Sequence, residues 1–214
     1  ITEADAAKFS ADPFISVIFS PMKKGDLELR MLNIQPYEAF AYDDCYTTSD
    51  FREYMRIGFL NSAIEYPAVI QGGNIVAAAN PFTISTSQEA IEQARGRVLC
   101  LGLGIGYFAA MASLKKSVAS ITIMEPSQDL IDIFTGCIIA RIGCPAKVEA
   151  ICCNPLQFAQ NQQNIMPYDF IFTDYCSIDL FLRLNGERCY FAREKKMLSK
   201  LRTALIRQLY KIYK

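Results

Sequence analysis

Three glycines alternate over five positions in the run Val98-Leu99-Cys100-Leu101-Gly102-Leu103-Gly104-Ile105-Gly106-Tyr107-Phe108-Ala109, and two later apolar runs end on acids, Glu125 and Asp174. A short apolar run, a glycine turn and a helix-like segment bring bare backbone up to a ligand at a helix N-terminus, as in a nucleotide-type cofactor site. Gly102 permits a sharp turn, and Gly104 and Gly106 carry no Cβ to block a ligand. Tight packing alone also produces such turns, so the strand-end acids are what tilts the reading towards a ligand. The dinucleotide fingerprint G-x-G-x-x-G would need glycine where Tyr107 stands, and no G-x-x-x-x-G-K-[ST] phosphate loop occurs. The chain contains no histidine, which removes Ser-His-Asp and Cys-His catalysis. Any general base is then Asp, Glu, Tyr, Lys or Cys.

The elements that must position these residues alternate regularly from Arg97 onward. Val98–Leu101, Ser120–Glu125, Lys147–Cys152 and Tyr168–Asp174 read as strands. Tyr107–Leu114, Gln128–Ile142 and Pro155–Gln160 read as helices, the last with Asn154 as its N-cap. Alternation of this kind implies an α/β fold with a mainly parallel sheet flanked by helices. Ligands of such sheets bind beyond the carboxyl ends of the strands. Gly102 to Gly106, Glu125, Asn154 and Asp174 are all strand-end residues and are expected on one edge. Residues 1–80 differ in composition and read as a small β-rich annex, followed by the α/β domain over 81–214. In the annex, Ile15–Phe19 and Leu27–Leu32 read as strands, Phe40–Tyr42 as a third, and Ser20–Asp26 and Gln71–Asn74 as turns. Asp43-Asp44 reads as a solvated turn. Thr83, Ser85 and Ser87 offer N-caps for a helix over Gln88–Arg95 closed by Gly96. Met197, Leu198, Leu201, Ala204, Leu205, Leu209 and Ile212 recur at three- and four-residue steps, so Glu187–Tyr213 reads as an amphipathic helix.

The G-x-G-x-G turn with an acid ending the next strand resembles the class I S-adenosylmethionine-dependent methyltransferases, over roughly Thr83 to Tyr175. The resemblance implies a Rossmann-like sheet and S-adenosylmethionine as cofactor. Gly102, Gly104 and Gly106 would lie under the cofactor's methionine and ribose, Glu125 would hold the ribose hydroxyls and Asn154 would border the adenine. Asp174 would face the reacting group, as catalytic base where the acceptor needs one. Family members usually carry Asp where Asn154 stands. A β-rich annex ahead of the sheet and the run Tyr168–Tyr175 are similar to the spermidine-synthase branch. That branch implies an alternative activity, aminopropyl transfer from decarboxylated S-adenosylmethionine. The segment after Asp174 departs from that branch, reading Asp174-Tyr175-Cys176-Ser177-Ile178-Asp179 without its proline. The family's sheet needs further strands beyond the fourth, yet the stretch from Tyr175 to Lys214 is short and much of it reads as helix. Truncation, completion by the annex or completion by a second subunit all remain open, as does a non-catalytic binding or assembly protein.

Composition narrows the setting. Half of the residues are hydrophobic, enough for a core. No apolar run approaches the roughly 18 residues of a membrane span. Ile1 to Ser10 lacks the basic-then-apolar order of a signal peptide. The eight cysteines include no C-x-x-C pair and several lie in apolar runs, Cys152-Cys153 among them. They are expected as reduced core residues of a cytoplasmic protein, with no metal site. The chain is neutral overall, yet Phe191–Lys214 holds eight basic residues against one acid, a net +7 that leaves −7 for the rest. A solvated amphipathic helix accounts for this more simply than nucleic acid or anionic lipid. A small-molecule substrate is the expected partner, and a homo-oligomer remains open.

Overall fold

The computed structural model describes residues 1–17, 21–50, 52–143, 147–159, 167–173 and 189–191. Asp174 and residues 192–214 of the expected basic helix lie outside them. The fold is mixed α/β, built from one parallel and two antiparallel or mixed sheets.

The chain up to Ala78 forms β1 (Thr2–Glu3), α1 (Ala6–Ser10), β2 (Met22–Lys24), β3 (Leu27–Ile34), β4 (Phe40–Thr47), β5 (Glu53–Phe59), β6 (Ile64–Gln71) and β7 (Asn74–Ala78). Strands β2-β3-β6-β7 make an antiparallel sheet, and β1-β5-β4 a second sheet in which β1 runs parallel to β5. The expected strand at Ile15–Phe19 is not formed over Ile15–Val17, which is turn. Asp12 takes the backbone there: its Oδ1 accepts from Phe14 N at 2.8 Å and its carbonyl from Ser16 N at 2.9 Å. An Asp-Pro pair favours this local bonding over extension. Of the expected turn over Ser20–Asp26, Ser20 lies outside the described residues and Gly25-Asp26 is turn, because Met22–Lys24 pairs with Leu27–Leu29 as a hairpin. Asp43 likewise lies in β4 rather than in a turn, and its carboxylate pairs with Arg56 at 3.2 Å. Gln71–Asn74 does form the expected turn, with φ +55° at Gly72 and +82° at Gly73.

Helix α2 spans Pro81–Gln93, well ahead of the expected start at Gln88. Asn80 caps it, its side chain accepting from Thr83 N at 2.9 Å, and Pro81 occupies the first turn. This cap and proline combination outcompetes Thr83, Ser85 and Ser87, which fall inside the helix. Gly96 does not close the helix; Ala94 is its C-cap, and Gly96, at φ +64°, opens β8 (Gly96–Leu101) beside the Asp169 side chain.

The remaining elements are α3 (Tyr107–Ser113), β9 (Val118–Glu125), α4 (Gln128–Ile133), a π-helical turn (Phe134–Ile139), α5 (Ala140–Ile142), β10 (Lys147–Cys152), α6 (Pro155–Ala159), β11 (Phe170–Thr173) and β12 (Cys189–Phe191). Strands β10-β9-β8-β11-β12 form one wholly parallel sheet. Counted along the sheet, the order is third, second, first, fourth, fifth, so the direction of winding reverses between β8 and β11. Strand β12 corrects the helix expected over Glu187–Tyr213 at Cys189–Phe191, and the chain itself supplies a fifth strand.

One hydrophobic core joins the two halves. Phe14, Leu29, Leu60 and Val69 of the N-terminal half belong to the same buried cluster as Val98, Ile121, Ile123, Phe134 and Phe172. Phe108 of α3 stacks on Phe172 at 3.7 Å and anchors that helix to the sheet face. The opposite face buries Leu99, Leu101, Met124 and Ile171 with Ala159 of α6. Asn80→Ala should cost about 1 kcal/mol, the usual worth of an N-cap, while Ser85→Ala should stay within about 0.5 kcal/mol. Urea midpoints of the two variants check where the helix begins.

Candidate functional site

The parallel pairing aligns the strand ends. Leu101 of β8 pairs with Met124 of β9 and Thr173 of β11, and Cys152 of β10 with Glu125. Gly102–Gly106, Glu125 and Asn154 therefore emerge on one edge of the sheet. The backbone there takes left-handed values: φ is +90° at Gly102, +56° at Gly104 and +82° at Gly106. Side chains with a Cβ are penalised in this region, so the turn needs glycine. Gly102 N–H donates to Met124 O at 2.9 Å and Gly106 N–H to Leu103 O at 2.8 Å. Gly102 and Gly106 are buried, and Gly104 is partly exposed.

Gly106 has a packing cause of its own. A Cβ at this position would strike the Phe134 ring, which is fully buried at the start of the π-helical turn. The bare backbone of Gly106 thus receives an aromatic side chain of this chain, where the sequence pattern suggested room for a ligand. Gly106 also starts α3 without a side-chain cap.

Glu125 is only 7 % exposed, and both of its oxygens are engaged. Oε2 accepts from Leu103 N inside the glycine turn at 3.0 Å, and Oε1 from Ser127 N at 3.0 Å. Ser127 is the N-cap of α4, its Oγ accepting from Leu130 N at 3.2 Å, so the carboxylate also sits near the positive end of that helix. Two amide donors offset much of the cost of burying the charge. Each carboxylate oxygen keeps a further lone pair for a ligand hydroxyl.

Asn154 lies exposed beyond β10, and its Oδ1 accepts from Gln157 N at 3.3 Å, the N-cap geometry expected for α6. Asp174 follows Thr173, which is 1 % exposed at the end of β11. Cys152 is exposed and Cys153 half-buried, and burial pushes the Cys153 thiol up, helped by Cys152. Among the described residues, no group of three or more Cys, Asp or Glu is placed to hold a metal ion, and no helix is long and apolar enough to cross a membrane.

Two residues had no functional signal in the sequence. The Tyr107 hydroxyl donates to Asp12 Oδ2 at 2.8 Å across 95 residues of sequence. Between α2 and the turn lies a cavity of about 30 Å³, lined by Thr83, Ser87, Leu103, Gly104, Tyr107 and Phe172 among others. That is room for a water molecule or two, far below a nucleoside. A larger cleft of about 300 Å³ touches the other side of α2 at Ile84, Ser85 and Gln88. Glu3, Asp5, Lys8 and Asp12 also line it. The Asp12–Tyr107 hydrogen bond stands between the two spaces.

Gly106→Ala should destabilise by roughly 1–3 kcal/mol, because it adds backbone strain to overpacking against Phe134. Chemical denaturation measures it. Tyr107 carries a pH signature. Burial, with Asp12 acting in the same direction, raises its phenol well above the ordinary tyrosine value. Below about pH 10 the phenol is neutral folded or unfolded, and its contribution to stability is complete. At higher pH the unfolded chain ionises first, so stability falls. Between about pH 9 and pH 11 the wild type should lose more stability than Tyr107→Phe, as read from urea midpoints. Compared with known proteins, the chain matches no protein-family model and no curated protein.

Proposed function

We propose that this chain binds S-adenosylmethionine at the carboxyl edge of β8 and β9 and transfers its methyl group to a small-molecule acceptor. The observation that carries the reading is the bond from the Leu103 amide to Glu125, which joins a positive-φ glycine turn to the acid ending the next strand. The strand order supports a Rossmann-like assignment, with the turn beside the reversal where such sheets take ligands. Glu125 fits the ribose end, since its oxygens have lone pairs to spare, and the Gly104 backbone beside it is partly exposed. Asn154 would border the adenine. A bound sulfonium supplies an electrophilic methyl carbon. The chain's own task is then to orient donor and acceptor, and Asp174 would take the acceptor's proton where one must leave.

Aminopropyl transfer from decarboxylated S-adenosylmethionine is a second reading. The observation in its favour is the excess of carboxylates in the larger cleft, Glu3, Asp5 and Asp12 against Lys8, since a polyamine acceptor is a polycation. Calorimetry separates these readings. S-adenosylhomocysteine binding more tightly than methylthioadenosine supports methyl transfer, and the reverse order supports aminopropyl transfer. Glu125→Ala should weaken the better ligand by about tenfold or more, through lost hydroxyl contacts and a loosened turn. No heat with either ligand at millimolar concentration sinks both and leaves a non-catalytic binding or assembly protein.

A further inference from the structure

The glycine turn is held firmly on one side. Leu103 N donates to Glu125 and Gly102 N to Met124 O, so the strand β9 fixes its beginning. At its far end Gly106 N donates to Leu103 O at 2.8 Å and its backbone lies against the Phe134 ring, with no bond to β9 among the described residues. Gly104 and Gly106 offer no side chain to anchor, and glycine has the most backbone freedom to recover if released. The first side chain after the turn belongs to Tyr107, and it is 3 % exposed. It reaches the N-terminal segment, where its hydroxyl donates to Asp12 Oδ2 at 2.8 Å. Asp12 is itself fixed, its Oδ1 accepting from Phe14 N at 2.8 Å. Phe14, fully buried, meets the Tyr107 ring edge-on at 5.3 Å and 72°. Phenol, carboxylate and aromatic ring therefore form one rigid contact between the turn and a segment about 95 residues away.

We infer that the Asp12–Tyr107 hydrogen bond is a strut by which the N-terminal segment holds the glycine turn in its ligand-receiving shape, making Asp12 and Tyr107 positioning residues for that site. The inference rests on the proposed S-adenosyl reading for its ligand, but the strut has its own readout. Tyr107 lines the small cavity beside Gly104, and Asp12 lines the larger cleft, so the strut also fixes the wall between them. Loss of the bond leaves one of the two buried partners unsatisfied and removes one of the ties at the far end of the turn.

The experiment uses the full chain with Tyr107→Phe, Asp12→Ala, Asp12→Asn and Ile64→Val. The last changes a buried residue of β6 and controls for general loss of stability. Amide hydrogen exchange at residues 103–107 should accelerate about tenfold in Tyr107→Phe and Asp12→Ala, the scale of one lost buried hydrogen bond. Asp12→Asn should lie closer to wild type, because its amide keeps contact with both the Tyr107 hydroxyl and Phe14 N. Ile64→Val should leave these amides unchanged relative to the rest of the chain. S-adenosylhomocysteine affinity should follow the same order, with the double variant Asp12→Ala/Tyr107→Phe no weaker than either single one. Unchanged exchange at residues 103–107 overturns the strut, as does faster exchange with unaltered affinity. A wild type that binds no S-adenosyl ligand removes the proposed function, and exchange then decides the strut alone.

Discussion

A buried carboxylate organises this molecule's central edge. Glu125 closes β9, yet its two oxygens point in different structural directions, one into the glycine turn and one to the start of α4. Leaving an ionised group this far from water is costly unless donors meet it. The Leu103 amide can do so only if the chain reverses sharply after Leu101, and that reversal is what the left-handed backbone of Gly102, Gly104 and Gly106 supplies. The other oxygen fixes Ser127, whose own hydroxyl starts α4, and α4 continues into the π-helical turn that sets Phe134 against Gly106. The glycines are thus constrained from two sides by one chain of contacts that begins at a single side chain.

The N-terminal strands are drawn into the same set of contacts. They do not sit beside the parallel sheet as a separate unit with its own core; Phe14 and Leu29 share a cluster with Ile121 and Phe134. The hairpin β2-β3 also meets α4 directly. Gly25 packs against the Asp129 side chain, the Lys24 ammonium pairs with Asp132 at 3.0 Å, and the Cys137 thiol lies 3.5 Å from the Met22 sulfur. The ion pair is exposed and worth little alone. Gly25 is required by its left-handed backbone, φ +54°, which closes the hairpin beside the Asp129 carboxylate.

Local signals were readable and distant ones were not. The run at Val98 became β8 because a buried parallel strand reads as a continuous apolar stretch, whereas Ser120–Glu125 and Lys147–Cys152 mix apolar and polar residues, the latter as the half-exposed edge strand β10. The strand ends carrying Gly102, Glu125 and Asn154 met on one edge because the strands pair in parallel. Where two local signals competed, the stronger won: Asn80-Pro81 displaced three hydroxyl caps, and the Asp12-Pro13 turn displaced an apolar strand over Ile15–Val17. Strand β12 could not be read from its own three residues, since it exists through pairing with β11. Nor could the Tyr107–Asp12 and Gly106–Phe134 contacts, which depend on how elements pack.

These contacts redistribute the meaning of the glycine pattern. Gly102 is required where its amide turns back to Met124 O, and Gly106 where α3 begins in the left-handed region beneath an aromatic ring. Both are buried, and both would be needed in a protein that bound nothing. Gly104 differs in being partly exposed, at φ +56°, beyond the paired end of β8. Glu125, 7 % exposed, accepts one amide on each oxygen and keeps a lone pair on each. On the proposed reading, the part of the motif that a ligand would meet narrows to the partly exposed Gly104 backbone and the Glu125 carboxylate, linked through the Leu103 amide at 3.0 Å from Glu125 Oε2. On that reading the ligand would offer hydroxyl donors to Glu125, which is the chemistry of a ribose more than of a phosphate.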